Sequence, residues 1–298
     1  MIFRGTATAL VTPFTDDKVD AKALERLVDF QLENGVNALC VLGTTGEPST
    51  MSEYEKRQVV QLVTNRVAGK IPVIVGAGSN STAQAVHLSK TAQSLGADGL
   101  LIVTPYYNKC TQDGLVKHYS EIASATSLPI IVYNVPSRTG VNVLAKTMQQ
   151  IAKIDNVVGI KEASGNMAQI LECLRTVGKD IAVYSGDDAL ALPIIASGGQ
   201  GLISVASNIY PKYVSTMCNL ALKGQINKAS QMQLAMLPLI NALFCEVNPI
   251  PVKKALQLKG LCKNNLRLPL TQMSDDNATS LKKAMEDFER HCSTCAYD

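Results

Sequence analysis

The chain has 298 residues, 46% of them apolar and 18% charged, with 28 Lys and Arg against 25 Asp and Glu and a formal net charge of +3. That composition excludes a predominantly disordered protein, which needs low hydrophobicity and high charge, and the near balance of charge offers no basic surface for nucleic acid or an anionic membrane. The length suits one large domain, or one domain with an appendage, whose core needs no disulfide staples.

The start, Met1-Ile2-Phe3-Arg4-Gly5-Thr6, has no cationic stretch leading into an apolar run, so no signal peptide is expected. No uncharged stretch reaches the roughly 18 apolar residues that a membrane span needs. The 8 cysteines are scattered, several within apolar stretches, as reduced and buried thiols are. A cytoplasmic, reducing compartment is the expectation. The tail cluster His291, Cys292 and Cys295 lacks the second pair that a zinc site needs. The low charged fraction suggests surface hidden in an oligomer.

In chain order, short apolar runs alternate with helical patterns eight times. The runs begin with Ala7–Val11, Ala38–Leu42, Pro72–Gly76 and Gly99–Val103. They continue with Pro129–Tyr133, Val157–Lys161, Ile181–Ser185 and Gly201–Val205. The intervening helices are predicted at Ala21–Glu33, Ser52–Val67, Ser81–Leu95, Gln112–Ser124, Val143–Ala152, Met167–Thr176 and Ala189–Ala196, with an eighth after Pro211. Continuous rather than alternating apolar runs mark strands covered on both faces, and helices joining such strands make a parallel sheet. Eight units predict an α/β fold, a closed (β/α)8 TIM barrel. The competing open sheet would carry a glycine-rich turn after its first strand, where this chain reads Thr12-Pro13-Phe14-Thr15. Helical patterns at Gln225–Cys245, Ile250–Leu258 and Asp276–Cys292 follow the barrel. Residues 1–224 are thus expected to form the barrel and 225–298 a C-terminal helical region.

Barrel enzymes place their chemistry at the C-terminal ends of the strands. Lys161 stands there, continuing an apolar run although lysine is rarely buried without a reason. Poor hydration disfavours an ammonium and favours the neutral amine that attacks a carbonyl. The alternative is a lysine paired with a neighbouring carboxylate such as Glu162. Tyr133 ends the preceding strand, and Thr44 and Tyr107 follow other strands, so a hydroxyl relay Thr44–Tyr133–Tyr107 is expected. The turn Gly43-Thr44-Thr45-Gly46 offers N–H groups and hydroxyls to a small carboxylate, and Arg138 can grip a second one. Ser197-Gly198-Gly199-Gln200-Gly201 precedes a strand and is expected to be a structural turn on the opposite face. His87 and His118 fall in helical patterns and read as structural or surface residues. No histidine and acid group is spaced for a metal, so the chemistry is expected to need no metal and no cofactor.

Gly43-Thr44-Thr45-Gly46-Glu47, Tyr133-Asn134-Val135-Pro136 with Arg138-Thr139-Gly140, Gly159-Ile160-Lys161-Glu162, and Asn248-Pro249-Ile250-Pro251-Val252-Lys253 closely resemble the dihydrodipicolinate synthase family, over essentially the whole chain. That family belongs to the pyruvate-dependent class I aldolase group that includes N-acetylneuraminate lyase. The resemblance implies a Schiff base between Lys161 and pyruvate. It implies a proton relay of Tyr133 with Thr44 and with Tyr107 from a neighbouring subunit. Thr45 and the turn backbone would hold the pyruvate carboxylate, Arg138 that of L-aspartate 4-semialdehyde, and Gly186 and the Ile203 backbone would line the pocket. The product would be (4S)-4-hydroxy-2,3,4,5-tetrahydrodipicolinate, on the route to diaminopimelate and lysine. The competing reading is another pyruvate-dependent aldolase, an N-acetylneuraminate lyase or a keto-deoxy sugar acid aldolase. Neuraminate lyases usually lack the arginine and carry Ser-Thr in place of Thr44-Thr45. The family commonly forms dimers or tetramers, and many bacterial members have an allosteric lysine site. Here Ser49, Asn80 and Tyr106 match that site, but Gln84 stands in place of the usual glutamate, and Glu53 and Lys56 in place of histidines. Loss of that charge-assisted bond, about 1.5–3 kcal/mol, implies weak or absent lysine inhibition.

Overall fold

A computed structural model of the chain describes residues 1–294. The chain opens with β1 (Gly5–Ala9), makes a small antiparallel hairpin of β2 (Phe14–Thr15) and β3 (Lys18–Val19), and enters α1 (Ala21–Glu33). Strands and helices then alternate: β4 (Ala38–Val41), α2 (Glu53–Val67), β5 (Val73–Gly76), α3 (Thr82–Ser94), β6 (Gly99–Val103) and α4 (Gln112–Ser124). Next come β7 (Ile130–Asn134), a single turn α5 (Pro136–Thr139), α6 (Ala145–Ile151), β8 (Val157–Glu162) and α7 (Met167–Val177). The last units are β9 (Ala182–Ser185), α8 (Ala191–Ala196), β10 (Gly201–Ser204) and α9 (Pro211–Leu222). The eight longer strands are all parallel and close into a barrel in chain order, with β10 pairing back onto β1. This is the (β/α)8 TIM barrel that the alternating pattern predicts.

Strand residues alternate between two cores. Ala7, Ala9, Cys40, Ile74, Leu101, Ile131, Tyr133, Tyr184 and Ile203 fill the barrel interior. Leu39, Val41, Val73, Leu100, Ile102, Val132, Ile160 and Leu202 pack outward under the helices. Both faces are apolar, so each strand reads as a continuous run. Helix starts follow local chemistry. Asp20 accepts from the Ala23 amide at 3.0 Å. Ser52 and Glu55 form a reciprocal capping box at the start of α2, a feature worth about 1 kcal/mol.

The expected boundaries need small corrections. β1 begins two residues before the predicted run, because Gly5 and buried Thr6 extend it, and Leu10 and Val11 pass beyond the ladder. Leu42 turns left-handed (φ 54°) and ends β4 one residue early. The predicted helix at Val143–Ala152 starts only at Ala145, after the separate turn α5. The acids Asp16 and Asp17, both left-handed, form the tip of the hairpin between β2 and β3, and Asp20 alone caps α1.

After α9 the chain forms α10 (Ile226–Leu243), α11 (Ile250–Leu258) and α12 (Asp275–Thr294). α10 packs against both α9 and α12. The segment between α10 and α11 runs over the C-terminal rim of the barrel, where Phe244 and Asn248 join the wall of a cavity. No helix among the described residues is long and apolar enough to cross a membrane.

Candidate active site

Lys161 ends an apolar strand with its side chain turned into the barrel, 6% exposed, and pairs in register with Tyr133 on β7 and Tyr184 on β9. Its Nζ lies 4.2 Å from the centroid of the Tyr133 ring. Glu162, one residue on, must face outward. Its carboxylate accepts from Asn134 Nδ2 at 3.1 Å and from the Ser164 amide at 2.8 Å. The pairing of Lys161 with Glu162 therefore does not occur. Glu162 instead anchors an outer network in which Asn134 also bonds Asn142, and Asn142 bonds Gln169. This network lies behind the two strand ends that present Tyr133 and Lys161.

The Gly43–Glu47 segment is an ordered, hydrogen-bonded turn. Thr44–Gly46 and Pro48–Thr50 are successive 3-10 turns, joined at Glu47 in a left-handed conformation (φ 55°). The Gly46 amide donates to the Gly43 carbonyl at 2.8 Å, and Thr12 Oγ1 donates to the Gly46 carbonyl at 2.7 Å. Thr45 is buried, and its Oγ1 accepts from Asn248 Nδ2 at 2.9 Å. Arg138, exposed on α5, donates through Nη2 to the Asn248 carbonyl at 3.2 Å. Asn248 thus bridges the two groups expected to hold carboxylates, and nothing in its local sequence marks it for that role.

A cavity of about 360 Å³ gathers Thr44, Thr45, Tyr133, Arg138, Lys161 and Gly186 at the C-terminal rim. Cys40 also lines it, and burial pushes its thiol up to about 11 although the Lys161 charge opposes that shift. Ile203 lies in the barrel interior below, and Val205 two residues on lines the cavity. A second cavity of about 560 Å³ shares Thr44, Tyr133 and Arg138 and runs out past Ser49, Gln84 and Tyr106. Glu53 and Lys56 also line it. Asn80 stands outside both, its carbonyl accepting from Asn108 Nδ2 at 3.0 Å. Tyr107 also lines neither cavity; it is 91% exposed, with a left-handed backbone (φ 70°).

The remaining candidates lie away from this rim. His87 is exposed on α3 and bonds Glu53 at 2.9 Å. His118 is buried, bonds Thr82 Oγ1 at 2.9 Å, and is pushed down to about 4 by burial. Ser197–Gly201 is the short link from α8 into β10, at the end of the barrel opposite the cavity. Of the tail cluster, His291 and Cys292 lie in α12 and Cys295 falls outside the described residues. Among the described residues no group of three His, Cys, Asp or Glu side chains is placed to hold a metal ion.

An amine kept in a barrel rim beside a phenol and two hydroxyls is the working group of enzymes that activate a ketone as an imine. The barrel falls in that class, the Schiff-base-forming aldolase type. The comparisons with known proteins narrow the class. A model of the dihydrodipicolinate synthetase family matches residues 2–288. A 4-hydroxy-tetrahydrodipicolinate synthase of Alkaliphilus oremlandii is 52% identical over 289 residues, 97% of this chain and 99% of the relative. The crystal structure of dihydrodipicolinate synthase from Thermotoga maritima superposes with a TM-score of 0.96 at 48% identity, covering 97% of this chain and 99% of that one. A structure described as a monomeric dihydrodipicolinate synthase variant superposes with a TM-score of 0.95 at 48% identity, covering 97% of both chains. The chain belongs to the dihydrodipicolinate synthetase family.

Proposed function

We infer that the chain condenses pyruvate with L-aspartate 4-semialdehyde to give (4S)-4-hydroxy-2,3,4,5-tetrahydrodipicolinate, the step for which its relatives are named, on the route to diaminopimelate and lysine. One observation carries the assignment of the chemistry: Lys161 Nζ sits in the rim cavity, 4.2 Å from the Tyr133 ring centroid, with Thr44, Thr45 and Arg138 around the same space.

The Lys161 amine adds to the keto carbon of pyruvate, and loss of water leaves an imine. The imine draws electrons, so a methyl proton leaves and an enamine forms. Tyr133 passes that proton, with Thr44 and with Tyr107 of a neighbouring subunit completing the relay. The enamine carbon attacks the aldehyde, forming the new C–C bond and an alkoxide that takes up a proton. The semialdehyde's own amine then attacks the imine carbon, closes the ring and releases Lys161. Thr45 and the adjacent N–H groups receive the pyruvate carboxylate, and Arg138 receives that of the semialdehyde. Gly186 and Val205 line the wall, with the Ile203 backbone below them.

Tyr107 projects from its own subunit, which suits a relay completed across an interface and hence a homo-oligomer, a dimer or a dimer of dimers. The barrel of residues 1–224 is the catalytic unit, and the helical region that follows it supplies the cover that includes Phe244 and Asn248. Cys40, Cys173, Cys218 and Cys262 are buried with thiols pushed up to about 11 or 12, inert side chains that suit a cytoplasmic enzyme. The outer cavity, with Ser49, Tyr106 and nearby Asn80 but no carboxylate at position 84, is a lysine site that has lost its grip.

Product analysis tests the reaction. Incubation with pyruvate and aspartate semialdehyde is expected to yield the cyclic product by NMR. Rapid cleavage of N-acetylneuraminate or a keto-deoxy sugar acid, with no such product, would contradict the assignment.

A further inference from the structure

The turn that carries Thr44 and Thr45 is anchored by a charge pair that the chemistry above does not use. Glu47 and Lys253 are both buried and ion-paired through Glu47 Oε1 and Lys253 Nζ. Lys253 lies in the first half of α11, 0% exposed. Its ammonium also donates to the Asn265 carbonyl at 2.8 Å and stands 4.3 Å from the centroid of the Phe14 ring. Burial holds Lys253 below the ordinary lysine range, and Glu47 works against that shift.

Such a pair is a poor source of stability. The desolvation of two charges about cancels their attraction, and well-packed apolar residues would often serve as well. Its location is more informative. Glu47 is the left-handed joint between the turn of Thr44 and Thr45 and the turn of Ser49. Its amide donates to the Thr44 carbonyl at 3.2 Å, and its carbonyl accepts from the Thr50 amide at 3.3 Å. Fixing its side chain therefore fixes both turns. The same C-terminal segment reaches the turn a second time, through the bond from Asn248 to Thr45. The two ties, side by side, join residues 44–47 to residues 248–253.

We propose that Glu47 and Lys253 form a positioning pair that holds the Thr44–Thr45 turn in the shape that receives the pyruvate carboxylate. Lys253 acts through Glu47, and neither residue touches substrate. This inference rests on the reading of Lys161 as the imine-forming residue and of the Thr45 turn as the carboxylate cradle.

Two variants test it. Glu47→Met/Lys253→Met replaces the pair with apolar side chains of similar length, a change that buried ion pairs commonly tolerate in stability. Glu47→Gln keeps the shape and removes the charge. Each is compared with the wild type by thermal midpoint, by borohydride trapping with saturating pyruvate, and by steady-state kinetics. The expected result for the double variant is a thermal midpoint within a few degrees of wild type and full trapping at saturation. Its KM for pyruvate rises at least tenfold, and its kcat stays within about threefold. Glu47→Gln shifts KM in the same direction by a smaller factor. A pyruvate KM within twofold of wild type in folded variants overturns the proposal, as does a loss of kcat with KM unchanged. A pair whose every replacement abolishes folding is structural, and that outcome overturns it too. If the wild type itself forms no pyruvate adduct, the underlying assignment of Lys161 fails and the positioning role falls with it.

Discussion

Gly186 leaves the space that Lys161 occupies. A Cβ built at Gly186 would stand 2.9 Å from Lys161 Cε and 2.7 Å from the Cβ of Ala163. The side chain of Lys161 is thus held from one side by the end of β9 and from the other by the Tyr133 ring. Gly186→Ala is expected to displace Lys161 and to lower kcat by about 100-fold, since a misplacement on the order of 1 Å costs that much. The thermal midpoint should move by only a few degrees, which separates displacement from unfolding.

Arg138 is exposed on a one-turn helix, with one bond to the Asn248 carbonyl and its fork open to the cavity. A charge-assisted bond to carboxylate is worth about 1.5–3 kcal/mol. Arg138→Ala should therefore raise KM for aspartate semialdehyde by about 10- to 100-fold. Adduct formation with pyruvate alone should survive. Equal losses for both substrates would place Arg138 on the pyruvate instead.

Gln84 lines the outer cavity where a carboxylate would grip an ammonium. Activity is expected to persist in millimolar lysine, and Gln84→Glu should increase sensitivity. Half-inhibition of the wild type at submillimolar lysine would contradict this reading of the cavity.

His118 makes stability pH-dependent. It is buried on α4 against Thr82 and Tyr119, and burial moves it from 6.5 to about 4. The unfolded chain takes up a proton near 6.5 that the folded chain refuses until about 4. Stability from this group is therefore complete above about 6.5 and falls as pH drops to about 4, by at most about 3 kcal/mol. Thermal unfolding of His118→Asn, which keeps a partner for Thr82, should lose less stability than the wild type between pH 6.5 and 4. Parallel curves would show that His118 does not set the pH dependence of stability.

The barrel was legible because burial on both faces leaves each strand a continuous apolar run. Lys161 was legible because it continues such a run with a charge at a strand end. The β2–β3 hairpin was not, since two-residue strands carry no period and Asp16-Asp17 resembles acid before a helix. Nor was the role of Asn248, which meets Thr45 across 203 residues of sequence. Resemblance pointed to its segment, but only the folded chain brings that segment to the cradle. Glu162 was legible as a neighbour of Lys161 and misleading as a partner, because strand alternation sends adjacent side chains to opposite faces.

The proposed chemistry turns on the amine of Lys161. Borohydride reduction in the presence of pyruvate, followed by peptide mass spectrometry, reads it directly. One stable three-carbon adduct per chain is expected, located on Lys161 and absent from Lys161→Ala, with the variant's turnover reduced by at least about 1000-fold. An adduct on another lysine, or undiminished synthesis by Lys161→Ala, would contradict the proposed chemistry.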